Sequence, residues 1–173
     1  MSTAPYTFLA QITDPHIREP GRLAYGRIDT TPYLGRAIDS LLALPQRPDA
    51  LVLTGDLCDF GREAEYAHLA ELLAPLADLP VYLLPGNHDE RVQLRKSFAH
   101  HAYLQGDGKF VQYSVRVGPL RLTGSRLAKP SHVKAASFVV NPCLRNCWRR
   151  PVSGSTPPYT TAPHRNPASV LYL

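Results

Sequence analysis

Three clusters of aspartate, histidine and asparagine carry the side chains that bind divalent metal ions. In chain order the clusters are Asp14-Pro15-His16, Gly55-Asp56 with Asp59, and Gly86-Asn87-His88-Asp89. Carboxylate, imidazole and amide ligands together suit Mn²⁺, Fe²⁺ or Zn²⁺, and the imidazoles make Mg²⁺ less suitable. A single cluster of this kind is most often only a turn, but three in succession favour a metal site. An aspartate lying between two strands would bridge two ions.

Each cluster directly follows a short apolar run that is typical of a strand. The runs are residues 7–13 (TFLAQIT), 50–54 (ALVLT) and 81–84 (VYLL). Segments with helical apolar spacing separate them, one starting at Thr31-Pro32 with Thr31 as its N-cap and one at about Glu63, and a short helix is expected over 90–98. This order predicts a parallel β-α-β-α-β layer. Because ligand sites form at the carboxyl ends of neighbouring parallel strands, we expect the clusters to converge.

From Phe110 onward the apolar residues alternate with polar ones. Val111, Tyr113, Val115 and Val117 fall on one face, and Gly118-Pro119 turns the chain into residues 120–122. This pattern predicts an antiparallel hairpin added to the parallel unit.

The charge distribution changes sharply along the chain. Residues 1–107 hold nine basic and fourteen acidic side chains, whereas residues 108–173 hold ten basic side chains and no acidic one. Seven of the seventeen prolines lie in residues 129–173. We therefore expect a folded portion over 1–124 and an irregular basic tail over 125–173, in which residues 135–140 are either a strand or half a helix. We favour a reading-frame shift as the origin of this change over a truncated lineage with a new tail.

The apolar stretches, the N-terminal pattern and the cysteine count predict a soluble cytoplasmic protein. No stretch approaches the roughly 18 apolar residues of a membrane-spanning helix, and the N-terminus has no signal-peptide pattern. Three cysteines, an odd number, favour a reducing compartment over a disulfide framework. The sequence makes no prediction about the oligomeric state.

The motifs resemble those of the calcineurin-like metallophosphoesterases, whose signature is D-x-H, G-D-x-x-D and G-N-H-[D/E]. Here these stand as Asp14-Pro15-His16, Gly55-Asp56-Leu57-Cys58-Asp59 and Gly86-Asn87-His88-Asp89. The residues between them look most like bacterial class III cyclic-nucleotide phosphodiesterases and their glycerophosphodiesterase relatives. The resemblance covers residues 7 to about 122.

The resemblance implies an α/β fold, a four-layer α/β/β/α sandwich of which this chain carries the N-terminal part. It also implies a two-metal phosphodiesterase with 3′,5′-cyclic AMP as the substrate and a glycerophosphodiester as the second choice. Asp14 and His16 would hold one ion, Asp56 would bridge both, Asn87 would hold the other, and His88 would face the scissile phosphate. Asp59 would orient a ligand, or would cap the approach to a helix. Mn²⁺ or Fe²⁺ is the expected metal, with Zn²⁺ as the alternative.

The chain departs from the family pattern after the hairpin, since it has no Gly-His-x-His and its late histidines, His132 and His164, have unfamiliar surroundings. A silent remnant that binds one ion is therefore an alternative. Three arginines surround Trp148, so residues 126–150 could bind nucleic acid. A solvated basic tail with no specific partner is the favoured interpretation of this segment. Unpaired thiols are likewise favoured over a zinc site for Cys143 and Cys147.

Overall fold

The computed structural model describes residues 7–106, 108–126, 136–142 and 168–172, and from residue 125 onward it describes only the backbone of strands. The elements are β1 Thr7–Thr13, α1 Thr31–Leu42, β2 Ala50–Gly55, α2 Glu63–Leu73, β3 Val81–Pro85, α3 Arg91–Ser97, β4 Gln112–Val117, β5 Leu120–Arg126, β6 Ala136–Pro142 and β7 Ala168–Tyr172. Short 3-10 helices lie at Ala74–Leu76 and Ala102–Leu104. The predicted strands and helices of the first half of the chain are confirmed.

A parallel sheet in the order β3-β2-β1-β7 forms the centre of the fold. Its side chains alternate between two apolar clusters, as the strand period of two requires. Leu51 and Leu53 pack with α1 and α2 in one cluster, whereas Leu9 and Val52 face the opposite side. Both faces of β2 are therefore covered, which explains its continuous apolar run. Within the described residues, no helix combines the length and apolarity that a membrane crossing requires.

A second, antiparallel sheet in the order β4-β5-β6 packs on the parallel one. Val117, Leu120 and Leu122 point inward and share a cluster with Leu9 and Val52. The alternating residues point outward and are polar, which confirms the predicted hairpin. The described residues thus form three layers of the expected sandwich: helices, a parallel sheet and an antiparallel sheet.

Two strands lie in the segment after residue 124 that we expected to be irregular. Ala136–Pro142 pairs antiparallel with β5, and Ala168–Tyr172 pairs parallel with β1. The choice left open at residues 135–140 is therefore a strand, and the expectation of irregular structure is wrong for Ala168–Tyr172. The division of the chain at residue 124 stays a prediction. The physical reason is that β1 and β5 each present a row of backbone donors and acceptors, which a short apolar run satisfies.

Two tyrosine hydroxyls cover the outer edge of β3. Tyr103 Oη accepts a hydrogen bond from Leu83 N at 2.8 Å and donates one to Val81 O at 3.1 Å. Tyr113 Oη donates to Leu83 O at 2.9 Å. These side chains take the place of a neighbouring strand, so Val81 O, Leu83 N and Leu83 O are satisfied without one.

Replacing Tyr103 with Phe should lower the free energy of unfolding by about 1–2 kcal/mol, because Leu83 N and Val81 O lose a partner while the ring packing remains. Chemical denaturation checks this. The matched control is Tyr33→Phe on α1, where the side chain is 61% exposed and the change should be neutral. Equal denaturation midpoints for the two variants would contradict the role of Tyr103 in satisfying the outer edge of β3.

Candidate metal centre

The loops after β1 and β2 remain paired beyond the ends of the strands. Asp14 N donates to Thr54 O at 2.9 Å, and His16 N donates to Asp56 O at 3.0 Å. Pro15 lies between them and has no N–H to contribute. The D-x-H and G-D motifs are therefore held in register by the same backbone pairing that forms the sheet.

Asp14 and His16 both adopt left-handed backbone conformations, with φ of 53° and 45°. Such values are uncommon for residues with a side chain and occur where the surroundings impose them, often at functional sites. Thr30 Oγ1 donates to His16 O at 2.9 Å and helps to hold this turn. Thr30, one residue before the predicted Thr31, is the N-cap of α1, and its hydroxyl serves the site rather than the helix.

Two glycines allow the carboxylates to lie directly against the backbone. A Cβ at Gly55, whose φ is 77°, would lie 2.3 Å from Asp14 Oδ1. A Cβ at Gly86 would lie 2.1 Å from Asp56 Oδ1. No other residue type fits either position without moving the aspartate beside it.

The side chains of the three motifs meet in one cluster. Asp56 Oδ1 accepts a hydrogen bond from His88 N at 2.9 Å, and Asp14 Oδ1 accepts one from Asp56 N at 3.0 Å. Asp56 Oδ2 lies 3.8 Å from His16 Nε2 and 3.9 Å from His88 Nε2. Two groups of three residues could each hold an ion, Asp14-His16-Asp56 and His16-Asp59-His88. Within each group, the ligand atoms all lie within 4.8 Å of one another. The convergence expected from the strand order is therefore present.

Asp59 is buried and contacts both histidines. Its Oδ1 lies 3.5 Å from His16 Nδ1 and 3.8 Å from His88 Nδ1. Its Oδ2 accepts hydrogen bonds from Tyr25 N at 3.1 Å and Arg18 Nη1 at 3.4 Å. These contacts favour the interpretation that Asp59 orients ligands, because its carboxylate faces the imidazoles.

The alternative for Asp59, a cap on the approach to α2, receives no support from these contacts. The N-cap of α2 is Arg62, and its first turn is closed by Glu65.

His88 presents one particular nitrogen to the cluster. Its Nδ1 lies 2.7 Å from Asp59 O, and a carbonyl oxygen only accepts, so Nδ1 carries the hydrogen. Its Nε2 is then the nitrogen that faces Asp56 Oδ2. Asn87 is half-buried beside it at the carboxyl end of β3, and its role as a ligand stays a prediction.

Asp89 joins the second and third loops through its buried carboxylate. It accepts hydrogen bonds from Leu57 N at 3.0 Å, Cys58 N at 3.1 Å, Gly86 N at 2.8 Å and Tyr66 Oη at 2.9 Å. Burial raises the pKa of Asp89 to about 6, while these hydrogen bonds act in the opposite direction. Asp89 therefore holds the two loops in place. We did not assign this role from the sequence, although Asp89 belongs to the third motif.

A buried ion pair supports the site from behind. Arg18 Nε lies 2.7 Å from Oε1 of Glu65, whose side chain is 0% exposed. Glu65 Oε2 accepts hydrogen bonds from Phe60 N at 3.1 Å and Arg62 N at 3.0 Å. Because Arg18 also reaches Asp59, the pair links α2 to the first and second loops.

Sequence reasoning missed four residues around the site, namely Arg18, Tyr25, Glu65 and Tyr66. Each lies outside the motifs, and none has a local signal beyond a charged or aromatic residue in a loop or helix. Several residues considered from the sequence, namely His132, Cys143, Arg145, Cys147, Trp148, Arg149, Arg150 and His164, lie outside the described residues.

Replacing Gly86 with Ala should lower the free energy of unfolding by about 1–3 kcal/mol and weaken metal binding, because the added methyl would displace Asp56. Thermal unfolding and calorimetric titration with Mn²⁺ measure the two effects. Gly35→Ala on α1 is the matched control, since a Cβ there meets nothing within 4 Å and Ala favours a helix. Unchanged Mn²⁺ affinity in Gly86→Ala would contradict the packing of Asp56 on Gly86.

Replacing Glu65 with Gln should destabilise the fold by about 1–3 kcal/mol, because Arg18 Nε loses its charged partner at 2.7 Å and keeps only the charges of Glu19 and Asp59, at 3.1 and 3.4 Å. Glu63→Gln on the same helix is the control, since Glu63 and its partner Lys96 are 60% and 63% exposed. An exposed pair contributes less than about 1 kcal/mol. Similar losses in the two variants, measured by denaturant unfolding, would argue against a supporting role for the buried pair.

Comparison with known proteins agrees with this geometry. The family model for calcineurin-like phosphoesterase matches residues 9–134. A probable glycerophosphodiester phosphodiesterase of Arcobacter nitrofigilis is 31% identical over 116 residues, which cover 67% of this chain and 42% of that protein. A cAMP/cGMP dual specificity phosphodiesterase of Mycobacterium tuberculosis is 39% identical over 95 residues, covering 53% of this chain and 30% of that protein.

A third relative, the 3′,5′-cyclic adenosine monophosphate phosphodiesterase of Pseudomonas aeruginosa, is 31% identical over 97 residues, which cover 56% of this chain and 35% of that protein. The chain thus spans less than half the length of these relatives. The family model, however, matches well over half of the chain and includes all three motifs. The chain belongs to the calcineurin-like phosphoesterase family.

Proposed function

We propose that this chain hydrolyses phosphodiesters with the help of divalent metal ions, and that 3′,5′-cyclic AMP is its substrate. The observation that carries the proposal is the convergence of Asp14, His16 and Asp56, with His88 beside them, at the carboxyl edge of the parallel sheet. Carboxylates and imidazoles collected in one place are the chemistry of a metal centre, and their edge of the sheet is where ligands bind in such folds.

The donor set fits a divalent ion. Donor atoms that bind one ion at about 2.1 Å lie roughly 3–4 Å apart. The separation of 3.8 Å between Asp56 Oδ2 and His16 Nε2 has this magnitude, and it is too long for a hydrogen bond. Asp14, His16 and Asp56 would hold one ion, and Asp56 and Asn87 would hold a second. Mn²⁺ or Fe²⁺ is proposed, with Zn²⁺ as the alternative.

Bound divalent ions polarise the phosphoryl group and neutralise its negative charge. The protein's own contribution to the reaction comes from His88 and the groups that fix it. Donation from His88 Nδ1 to Asp59 O holds the ring, so that Nε2 faces the cluster. In its protonated form, His88 would donate from Nε2 to the charge that develops on the phosphoryl oxygens or to the departing oxygen.

Two substrate classes are compatible with this site. Relatives named as cyclic-nucleotide phosphodiesterases and as glycerophosphodiester phosphodiesterases both match the chain. Cyclic AMP is proposed first, and a glycerophosphodiester is the alternative. A catalytically silent protein that binds a single ion is the competing function, because Asp14, His16 and Asp56 already form one group of ligand atoms without Asn87.

The test is an assay of the purified full chain with Mn²⁺ on bis(p-nitrophenyl) phosphate, cyclic AMP and glycerophosphocholine. Replacing Asp56 with Asn should lower kcat/KM by about 10- to 100-fold or more, because a neutral amide replaces the charged carboxylate that both ions would share. Asp39→Asn, at an exposed position of α1, is the matched control and should leave the rate unchanged.

Elemental analysis of the same samples distinguishes the competing functions. Two Mn²⁺ ions per chain with activity above that of Asp56→Asn is the expected result. One ion without activity would overturn the proposal in favour of the silent protein. Activity on the glycerophosphodiester alone would retain the reaction and change the substrate.

A further inference from the structure

Tyr25 is held over the metal centre by a strained turn. Its φ is 52°, a left-handed value that is costly for a residue with a large side chain, and Gly26 follows with φ of 67°. The turn is closed by a hydrogen bond of 2.7 Å from Ala24 N to Ile28 O. The side chain is 59% exposed, so burial of the ring does not explain the strain.

The same turn is attached to the site by the backbone of Tyr25. Tyr25 N donates a hydrogen bond of 3.1 Å to Asp59 Oδ2, the carboxylate that also faces His16 and His88. Ala24, the preceding residue, is 1% exposed, so its packing in the interior anchors the turn. The position of Tyr25 is therefore coupled to that of the metal-binding side chains.

The hydroxyl of Tyr25 lies inside the cluster. It is 3.1 Å from His16 Nε2 and 3.3 Å from His16 Nδ1, and the Tyr25 ring centroid lies 5.0 Å from that of His16 and 6.0 Å from that of His88. The two ring nitrogens of an imidazole point in different directions, so a hydroxyl nearly equidistant from both lies along neither lone pair. A group whose role was to orient His16 would instead align with one nitrogen.

We propose that Tyr25 is a substrate-binding residue whose hydroxyl donates a hydrogen bond to a non-bridging phosphoryl oxygen of the bound phosphodiester. This inference rests on the proposed function. The non-bridging oxygens of a phosphodiester are anionic acceptors. The hydroxyl lies 3.1 Å from His16 Nε2, and the Tyr25 ring lies 6.0 Å from that of His88, on the side where the phosphoryl group would bind.

The test compares Tyr25→Phe with Tyr33→Phe, whose ring on α1 is similarly exposed, at 61%. Both variants keep the ring and remove only a hydroxyl. The measurements are kcat/KM on bis(p-nitrophenyl) phosphate, Mn²⁺ content, and the calorimetric affinity of the Mn²⁺-loaded chain for inorganic phosphate. A hydrogen bond to a charged group contributes about 10- to 100-fold in affinity.

Tyr25→Phe should lower both kcat/KM and phosphate affinity by about 10- to 100-fold and keep its Mn²⁺ content, while Tyr33→Phe stays at the wild-type values. Unchanged phosphate affinity in Tyr25→Phe would overturn the inference. Loss of Mn²⁺ in Tyr25→Phe would also overturn it and assign the residue to the support of His16.

A wild-type chain that is no more active than Asp56→Asn would refute the proposed function, and phosphate affinity would then still decide the role of Tyr25. A Mn²⁺-loaded wild-type chain that does not bind phosphate would overturn the inference as well.

Discussion

The candidate metal centre depends on the parallel pairing of β1 with β2, which continues past the ends of both strands. Pairing of Asp14 N with Thr54 O and of His16 N with Asp56 O places the first two motifs side by side. A shift of one residue in this register would turn every side chain of β1 to the other face, and the apolar packing on both faces prevents it. The core of the protein thereby fixes the position of its polar site.

The loops that carry the candidate ligands adopt backbone conformations that their own residues do not favour. Asp14 and His16 are left-handed, and the carboxylates of Asp14 and Asp56 leave no space for a side chain at Gly55 and Gly86. Buried carboxylates hold these loops from outside the cluster. Asp89 accepts hydrogen bonds from both the second and the third loop, so the strain is offset by contacts that are not themselves part of the chemistry.

Much of the fold and of the cluster could be predicted because each depends on a local pattern. Apolar runs of strand length ending in Asp14-x-His16, Gly55-Asp56 and Gly86-Asn87-His88 identify strands and site together. Glu65 and Tyr25 could not be found this way, because their roles depend on partners more than thirty residues away in sequence or on the shape of a turn. Strand β7 was missed because its short run, in a proline-rich segment, becomes a strand only by pairing with β1.

The central claim is that the three motifs build one divalent-metal centre. Anomalous diffraction from crystals grown with Mn²⁺ tests it most directly, because the signal locates the ion and identifies its ligands. A peak about 2.2 Å from both the carboxylate of Asp56 and the imidazole of His16 is the predicted result. The absence of a peak at this edge of the sheet, in crystals where Mn²⁺ binds elsewhere on the protein, would contradict the claim.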